Sequence, residues 1–232
     1  MPKKYNQKDI EKKVIECITS CPENLYQQKF VNYSSKTRDT HRPYSEIISE
    51  VLLNNLHLYS IPSITRETSY KTKSHSTPRV PPSSSNRDEE RTAILLFKSK
   101  RTFEDFGTII DYQVPLKNNN KNKKVGKIDL LSIKDDNFFI LELKIKDNKN
   151  DGLLLSALEA YTYSKIIDAD KLKKDYNISP SCKIVPAPLI FKGSRPFNEF
   201  QSDEYPLLHR LMDELGIMVF TLDEKLLDDL SK

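Results

Sequence analysis

Between Gly126 and Lys146 the sequence G-K-I-D-L-L-S-I-K-D-D-N-F-F-I-L-E-L-K-I-K reads as two strands meeting at a polar tip, Lys134 to Asn137. With Asp135 and Asp136 as the turn, Asp129 lies opposite Glu142, Leu131 opposite Ile140, and Ile133 opposite Phe138. Directly opposed residues share a face of the sheet. One face then carries Ile133, Phe138, Leu131 and Ile140, followed by Asp129, Glu142 and Lys144. The other carries Ile128, Leu130, Phe139, Leu141, Leu143 and Ile145. Both faces are mostly apolar, which predicts a hairpin inside a sheet covered on both sides. Three ionisable groups at one end of such a hairpin need partners or a metal, because unpaired buried charge is costly.

The helical period appears elsewhere. Ile10, Val14, Cys17 and Ile18 predict a helix over 8–20, ended by Pro22. Ile47, Ile48, Val51, Leu52 and Leu56 predict another over 44–59, with Ser45 as its cap. From 61 to 86 the chain is rich in Ser, Thr and Pro and has no period, so it reads as a linker or an extended arm. A helix through Glu89 to Phe97, capped by Asn86 or Asp88, opens the second part. It is followed by a strand over 108–116, in which Pro115 points to a sheet edge or an unpaired strand end. After the hairpin come a helix over 152–168, a strand over 183–191, a helix over 204–215 closed by Gly216, and a strand over 217–222. Helices alternating with strands after an antiparallel start predict an α/β fold with a mixed sheet. Three regions result: a helical one over 1–60, a linker or arm over 61–87, and an α/β domain over 88–232.

Composition narrows the class. The chain has 232 residues, 30% charged and 37% hydrophobic, with no apolar run long enough to span a membrane and no signal-peptide core in its first residues. An intracellular, soluble protein is the expectation, cytoplasmic by default. Cys17, Cys21 and Cys182 are odd in number and have no nearby His, which fits neither a disulfide framework nor a zinc site. The net charge of +4 is unevenly spread: residues 1–87 hold 14 Lys and Arg against 8 Asp and Glu, and residues 88–232 hold 23 against 25. A basic first third suits a polyanionic partner, although ordinary solubilising charge would look the same. No phosphate-binding glycine motif for nucleotides is present.

Asp129, then Glu142-Leu143-Lys144 on the next strand, with a glutamate-bearing helix before and another helix after, resembles the PD-(D/E)xK nuclease superfamily. The resemblance covers residues 88–222 and implies a restriction-endonuclease-like core: a three-strand antiparallel meander in a mixed sheet flanked by helices. It implies a Mg²⁺-dependent nuclease, Mn²⁺ able to substitute, that acts on DNA or, as the alternative polymer, RNA. Asp129 and Glu142 would bind the ion with the carbonyl of Leu143 as an extra ligand, and Lys144 would position or activate the attacking water. Hard carboxylate oxygens suit Mg²⁺, which lowers the pKa of its bound water and clamps the scissile phosphate. Members of the superfamily often add a glutamate from the first helix. Glu90 shares the side of Ala93, Ile94 and Phe97 and is favoured over Glu89 on that ground.

On the following helix, A-L-E-A-Y-T-Y stands where related members carry Q-x-x-x-Y; Glu159 and Tyr163 are one possible match, Ala157 and Tyr161 the other. The loop 117–127 holds Lys121, Lys123, Lys124 and Lys127, suited to phosphate contacts that do not read sequence. The four histidines show no ligand spacing and read as structural. A homodimer would supply two sites for a double-strand break. The alternative is a binding module that keeps the fold without turnover.

Overall fold

The computed structural model describes residues 5–82, 84–117, 126–145 and 151–230. Two helices lead, α1 (Gln7–Ser20) and α2 (Tyr44–Asn54), linked through short 3-10 turns. The polar stretch after them contains one 3-10 turn, Lys73–Ser76, and leads to α3 (Asp88–Lys98). Strands β1 (Thr102–Phe103), β2 (Gly107–Pro115), β3 (Lys127–Lys134) and β4 (Asn137–Lys144) follow. Then come α4 (Leu153–Ile166), α5 (Ala169–Tyr176), β5 (Lys183–Phe191), α6 (Arg195–Phe200), α7 (Pro206–Leu215), β6 (Phe220–Leu222) and α8 (Lys225–Leu230).

The six strands form one mixed sheet in chain order. Pairs are antiparallel from β1 to β4 and parallel from β4 through β6. A parallel neighbour requires a crossover, and α4–α5 and α6–α7 supply the two. Helices α3 and α8 cover one face, where Phe97, Tyr112, Leu130, Leu141, Leu143 and Phe220 share a cluster. The other face packs Leu131, Phe138 and Ile140 against α4.

Helix α4 is apolar on nearly every side, burying Leu153, Leu154, Ala157, Leu158, Tyr161 and Tyr163. A helix of that kind must be covered all round. The sheet covers one side; the N-terminal region covers another, with Tyr59 stacked on Tyr161 and Tyr26 edge-on to Tyr163. Residues of α1 and α2 thus belong to the same hydrophobic cluster as α4 and α7.

The hairpin pairs as the alternation predicts, with Leu131 opposite Ile140 and Ile133 opposite Phe138, and Asp135 takes a positive φ of 50° in the turn. The ladder ends at Leu130 with Leu141, one step short of the expected pairing of Asp129 with Glu142, and one residue changes face. Ile128 was expected on the face of Leu130, yet it packs with Val114 and Leu131 on the α4 side. Val114 lies opposite it, and the preceding Gln113 adopts φ 45°, which breaks the two-residue alternation of β2 between Tyr112 and Val114; β3 follows between Ile128 and Leu130. Pro115 ends its strand opposite Lys127. Helix α5 was not expected, because Leu172 is its only buried residue. The second helix starts after Pro43 rather than at Ser45, which is buried. Among the described residues no helix is long and apolar enough to cross a membrane.

Candidate active site

The alternation of β4 aims Glu142 and Lys144 at α4, on the face of Phe138 and Ile140. Both are buried, 4% and 5% exposed. The Lys144 Nζ donates to Glu142 Oε1 at 2.7 Å and lies 3.4 Å from Glu159 Oε2 of α4 and 3.8 Å from Asp151 Oδ2 just before that helix. Glu159 Oε1 in turn accepts the Tyr163 hydroxyl at 2.8 Å. Asn32, from the N-terminal region, donates to Asp151 Oδ1 at 3.1 Å and accepts the Gly152 N–H.

Asp129 sits at the same end of the hairpin but is partly exposed. The last β3–β4 pair is Leu130 with Leu141; beyond it the Leu143 N–H donates to Asp129 Oδ2 at 3.0 Å, and Gln113 Nε2 donates to Oδ1 at 2.7 Å. The left-handed backbone at Gln113 that turned Ile128 also delivers this amide to the carboxylate. Asp129 lines a pocket of about 420 Å³ with Gln113, Ile145 and Asn86 to Glu90 at the start of α3.

Acids outnumber bases around Asp129, Glu142 and Lys144, and the protonation equilibria follow. Burial, with help from Glu89 and Glu159, pushes the Asp129 carboxyl up to about 6 against the pull of Lys144 and the Leu143 N–H. Burial and the carboxylates of Asp129 and Glu159 push Glu142 well above the usual range. Burial would lower Lys144, but Glu142, Glu159, Glu89 and Asp129 together hold its ammonium firmly protonated. Tyr163 is raised by burial and then by Glu159 and Glu142.

Asp129, Glu142 and Lys144 are therefore together, with Leu143 between them supplying its N–H. Glu90 lines the pocket rim, 3.7 Å from Arg87, and its charge acts on Tyr112. The α3 carboxylate that acts on Asp129 and Lys144 is its neighbour Glu89. Lys127 pairs with Pro115 of β2 and is exposed in a cleft that Glu90 and Ile94 of α3 also line. Lys121, Lys123 and Lys124 lie outside the described residues.

Three partners of these side chains are not singled out as site residues by the sequence. Glu159 had a signal: it is the one carboxylate within an otherwise apolar helical stretch, and such a group needs a partner. Asp151 and Gln113 had none, since one precedes a helix and the other depends on a backbone irregularity.

The donor set suits a hard divalent cation. Glu142 Oε2 is buried and has no hydrogen-bond partner, so a carboxylate oxygen is left over beside Asp129. Mg²⁺ takes one or two carboxylates and keeps waters, which two side chains can satisfy. Among the described residues no group of three or more His, Cys, Asp or Glu is arranged to hold a metal. No family model, curated protein or solved structure matches the chain.

Proposed function

We propose that the protein is a divalent-cation-dependent nuclease with a restriction-endonuclease-like PD-(D/E)xK core, hydrolysing phosphodiester bonds of DNA. The observation that carries this reading is the meeting of Asp129, Glu142 and Lys144 at one end of the hairpin with Glu142 Oε2 unpartnered. The order α3, β2, β3, β4, α4, β5 supports it, being the helix, meander, helix and strand of that superfamily.

Asp129 and Glu142 would hold Mg²⁺, or Mn²⁺ in its place. The bound ion would supply an activated water and offset charge on the scissile phosphate. Lys144, held between Glu142 and Glu159, places a fixed ammonium beside the reacting phosphate and orients the water. Glu159, anchored by Tyr163, keeps that ammonium in place, and the Leu143 N–H and Gln113 hold the Asp129 carboxylate in one orientation. Nicking of supercoiled plasmid in Mg²⁺, stopped by a chelator and restored by Mg²⁺ or Mn²⁺, tests the reading.

One observation favours a second reading, a nucleic-acid-binding module without turnover: Lys144 is enclosed by three acids, and the described residues form no three-ligand metal group. Plasmid binding without nicking in either metal would select it.

A further inference from the structure

The Ser/Thr/Pro-rich stretch before α3 is fastened along the exposed flank of β2. The Arg66 guanidinium, 6% exposed, donates to the carbonyls of Thr68, Ser69, Pro115 and Lys117 and stacks on the Tyr70 ring. Tyr70 accepts the Asp168 N–H through its hydroxyl and donates its own N–H to Asp175. Further on, His75 Nδ1 lies 2.7 Å from Asp111 Oδ1, and its ring stacks on Tyr112 with centroids 4.1 Å apart. The other Asp111 oxygen accepts the Tyr176 hydroxyl. Ordering backbone costs about 1–2 kcal/mol per residue, and a mere tether would not need these anchors.

Pinned in this way, the stretch forms one wall of a cleft of about 610 Å³. Thr72, Ser74, Thr77 and Arg79 face Tyr112 and Lys127 across it. Glu90 and Gln113 line both this cleft and the pocket of Asp129, so the two are continuous. The combined groove is polarised. Arg79 and Lys127 stand at the arm end, Glu90 is shared by both, and Asp88, Glu89 and Asp129 stand with Arg87 at the other. Arg79 and Lys127 are exposed, and neither is held in an ion pair among the described residues.

We propose that residues 66–80 are part of the substrate site, and that the Arg79–Lys127 end of the groove binds backbone phosphate of the polynucleotide strand whose scissile phosphate lies at Asp129. The assignment rests on the nuclease reading for the identity of the far end. Its chemistry is direct: two free cations and three hydroxyls offer charge and donors to phosphate and no fixed pattern for reading base edges. His75 is a positioning residue that holds the arm against β2.

The test is fluorescence anisotropy of a labelled DNA duplex with the full-length Glu142→Gln protein, so that bound DNA stays uncut, across a salt series. Arg79→Ala and Lys127→Ala are each expected to weaken binding several-fold and to reduce the slope of log K against log salt by about 0.9. The double variant should lose about twice that slope. His75→Ala should lower affinity without changing the charge count as those two do, and Lys12→Ala on α1 should match the parent. Unchanged affinity and slope in the Arg79→Ala/Lys127→Ala protein overturns the proposal. Cleavage is scored separately on protein with Glu142 intact. Cleavage with binding indifferent to Arg79 and Lys127 removes the groove and keeps the nuclease. Arm-dependent binding with no cleavage in Mg²⁺ or Mn²⁺ keeps the phosphate groove and removes the nuclease.

Discussion

The Leu143 backbone N–H donates to Asp129 Oδ2 at 3.0 Å, one step past the last β3–β4 pair. A side-chain carboxylate thus takes the place of a backbone acceptor at the end of the hairpin, which gives Asp129 a structural role beside the chemical one proposed for it. Asp129→Asn keeps an acceptor there and should retain the stability of the parent within about 1 kcal/mol, whereas Asp129→Ala leaves the Leu143 N–H unsatisfied and should cost about 1–3 kcal/mol. Both should lose at least about 100-fold in turnover. Urea unfolding together with a cleavage assay separates the two effects.

Among the described residues, Lys144 Nζ lies within 4 Å of Glu142, Glu159 and Asp151 carboxylate oxygens. Removing one partner of a buried ion pair costs roughly 3–5 kcal/mol, because the other charge is left uncompensated. Lys144→Met should therefore be both inactive and destabilised by about that amount. Adding Glu142→Gln to it should recover much of the stability and none of the activity. A double-mutant cycle in urea gives the coupling; purely additive losses would mean the two side chains do not interact as the geometry requires.

Gly126 precedes β3, and a Cβ built on it would lie 2.2 Å from the Tyr163 hydroxyl. Gly126→Ala should push Tyr163 off Glu159 and release the Lys144 anchor. The expected loss in turnover is about 5- to 10-fold, the equivalent of one hydrogen bond of about 1 kcal/mol. Tyr163→Phe should give a similar loss, and the pair together little more than either alone. Kinetics of the three variants on one substrate check this, and a multiplicative loss in the pair would contradict it.

How much of this was legible follows from which forces set each feature. The hairpin register, and with it Glu142 and Lys144 on one face, came from the Asp135-Asp136 turn and the two-residue period of β4, a pattern set locally. The position of Ile128 did not, because the φ of 45° at Gln113 lies on another strand and Gln carries no signal for it. The choice of Glu90 over Glu89 relied on an ideal helical face. At the first turn of α3 both carboxylates reach the pocket, and the electrostatic influence on Asp129 falls to Glu89. Arg66 and His75 looked like residues of a loose linker, since their partners, Pro115, Lys117 and Asp111, lie 36 or more positions away.

Burial, with Cys21 nearby, pushes the Cys17 thiol up to about 12, and burial also raises Cys182; Cys21 is only half-buried. The thiolate is the reactive form. The sign follows from linkage: the folded state keeps the Cys17 proton after the unfolded chain has lost it, so its contribution to stability is present below pH 9 and lost as pH rises toward 12. At pH 8 a thiol-reactive dye should label Cys21 at least 100-fold faster than Cys17 in the native protein, and all three at similar rates in denaturant. Mass spectrometry of the labelled peptides reads the result.

Asp129, Glu142 and Lys144 are proposed to form one metal-dependent phosphodiesterase site. Turnover of a single labelled DNA substrate in Mg²⁺ by the unsubstituted protein, Asp129→Asn, Glu142→Gln and Lys144→Met, side by side, tests it most directly. The account predicts cleavage by the first alone, abolished by chelator, with each substitution lowering the rate by at least about 100-fold. Equal cleavage by all four proteins, or none by the unsubstituted protein in Mg²⁺ or Mn²⁺ on DNA or RNA, would contradict it.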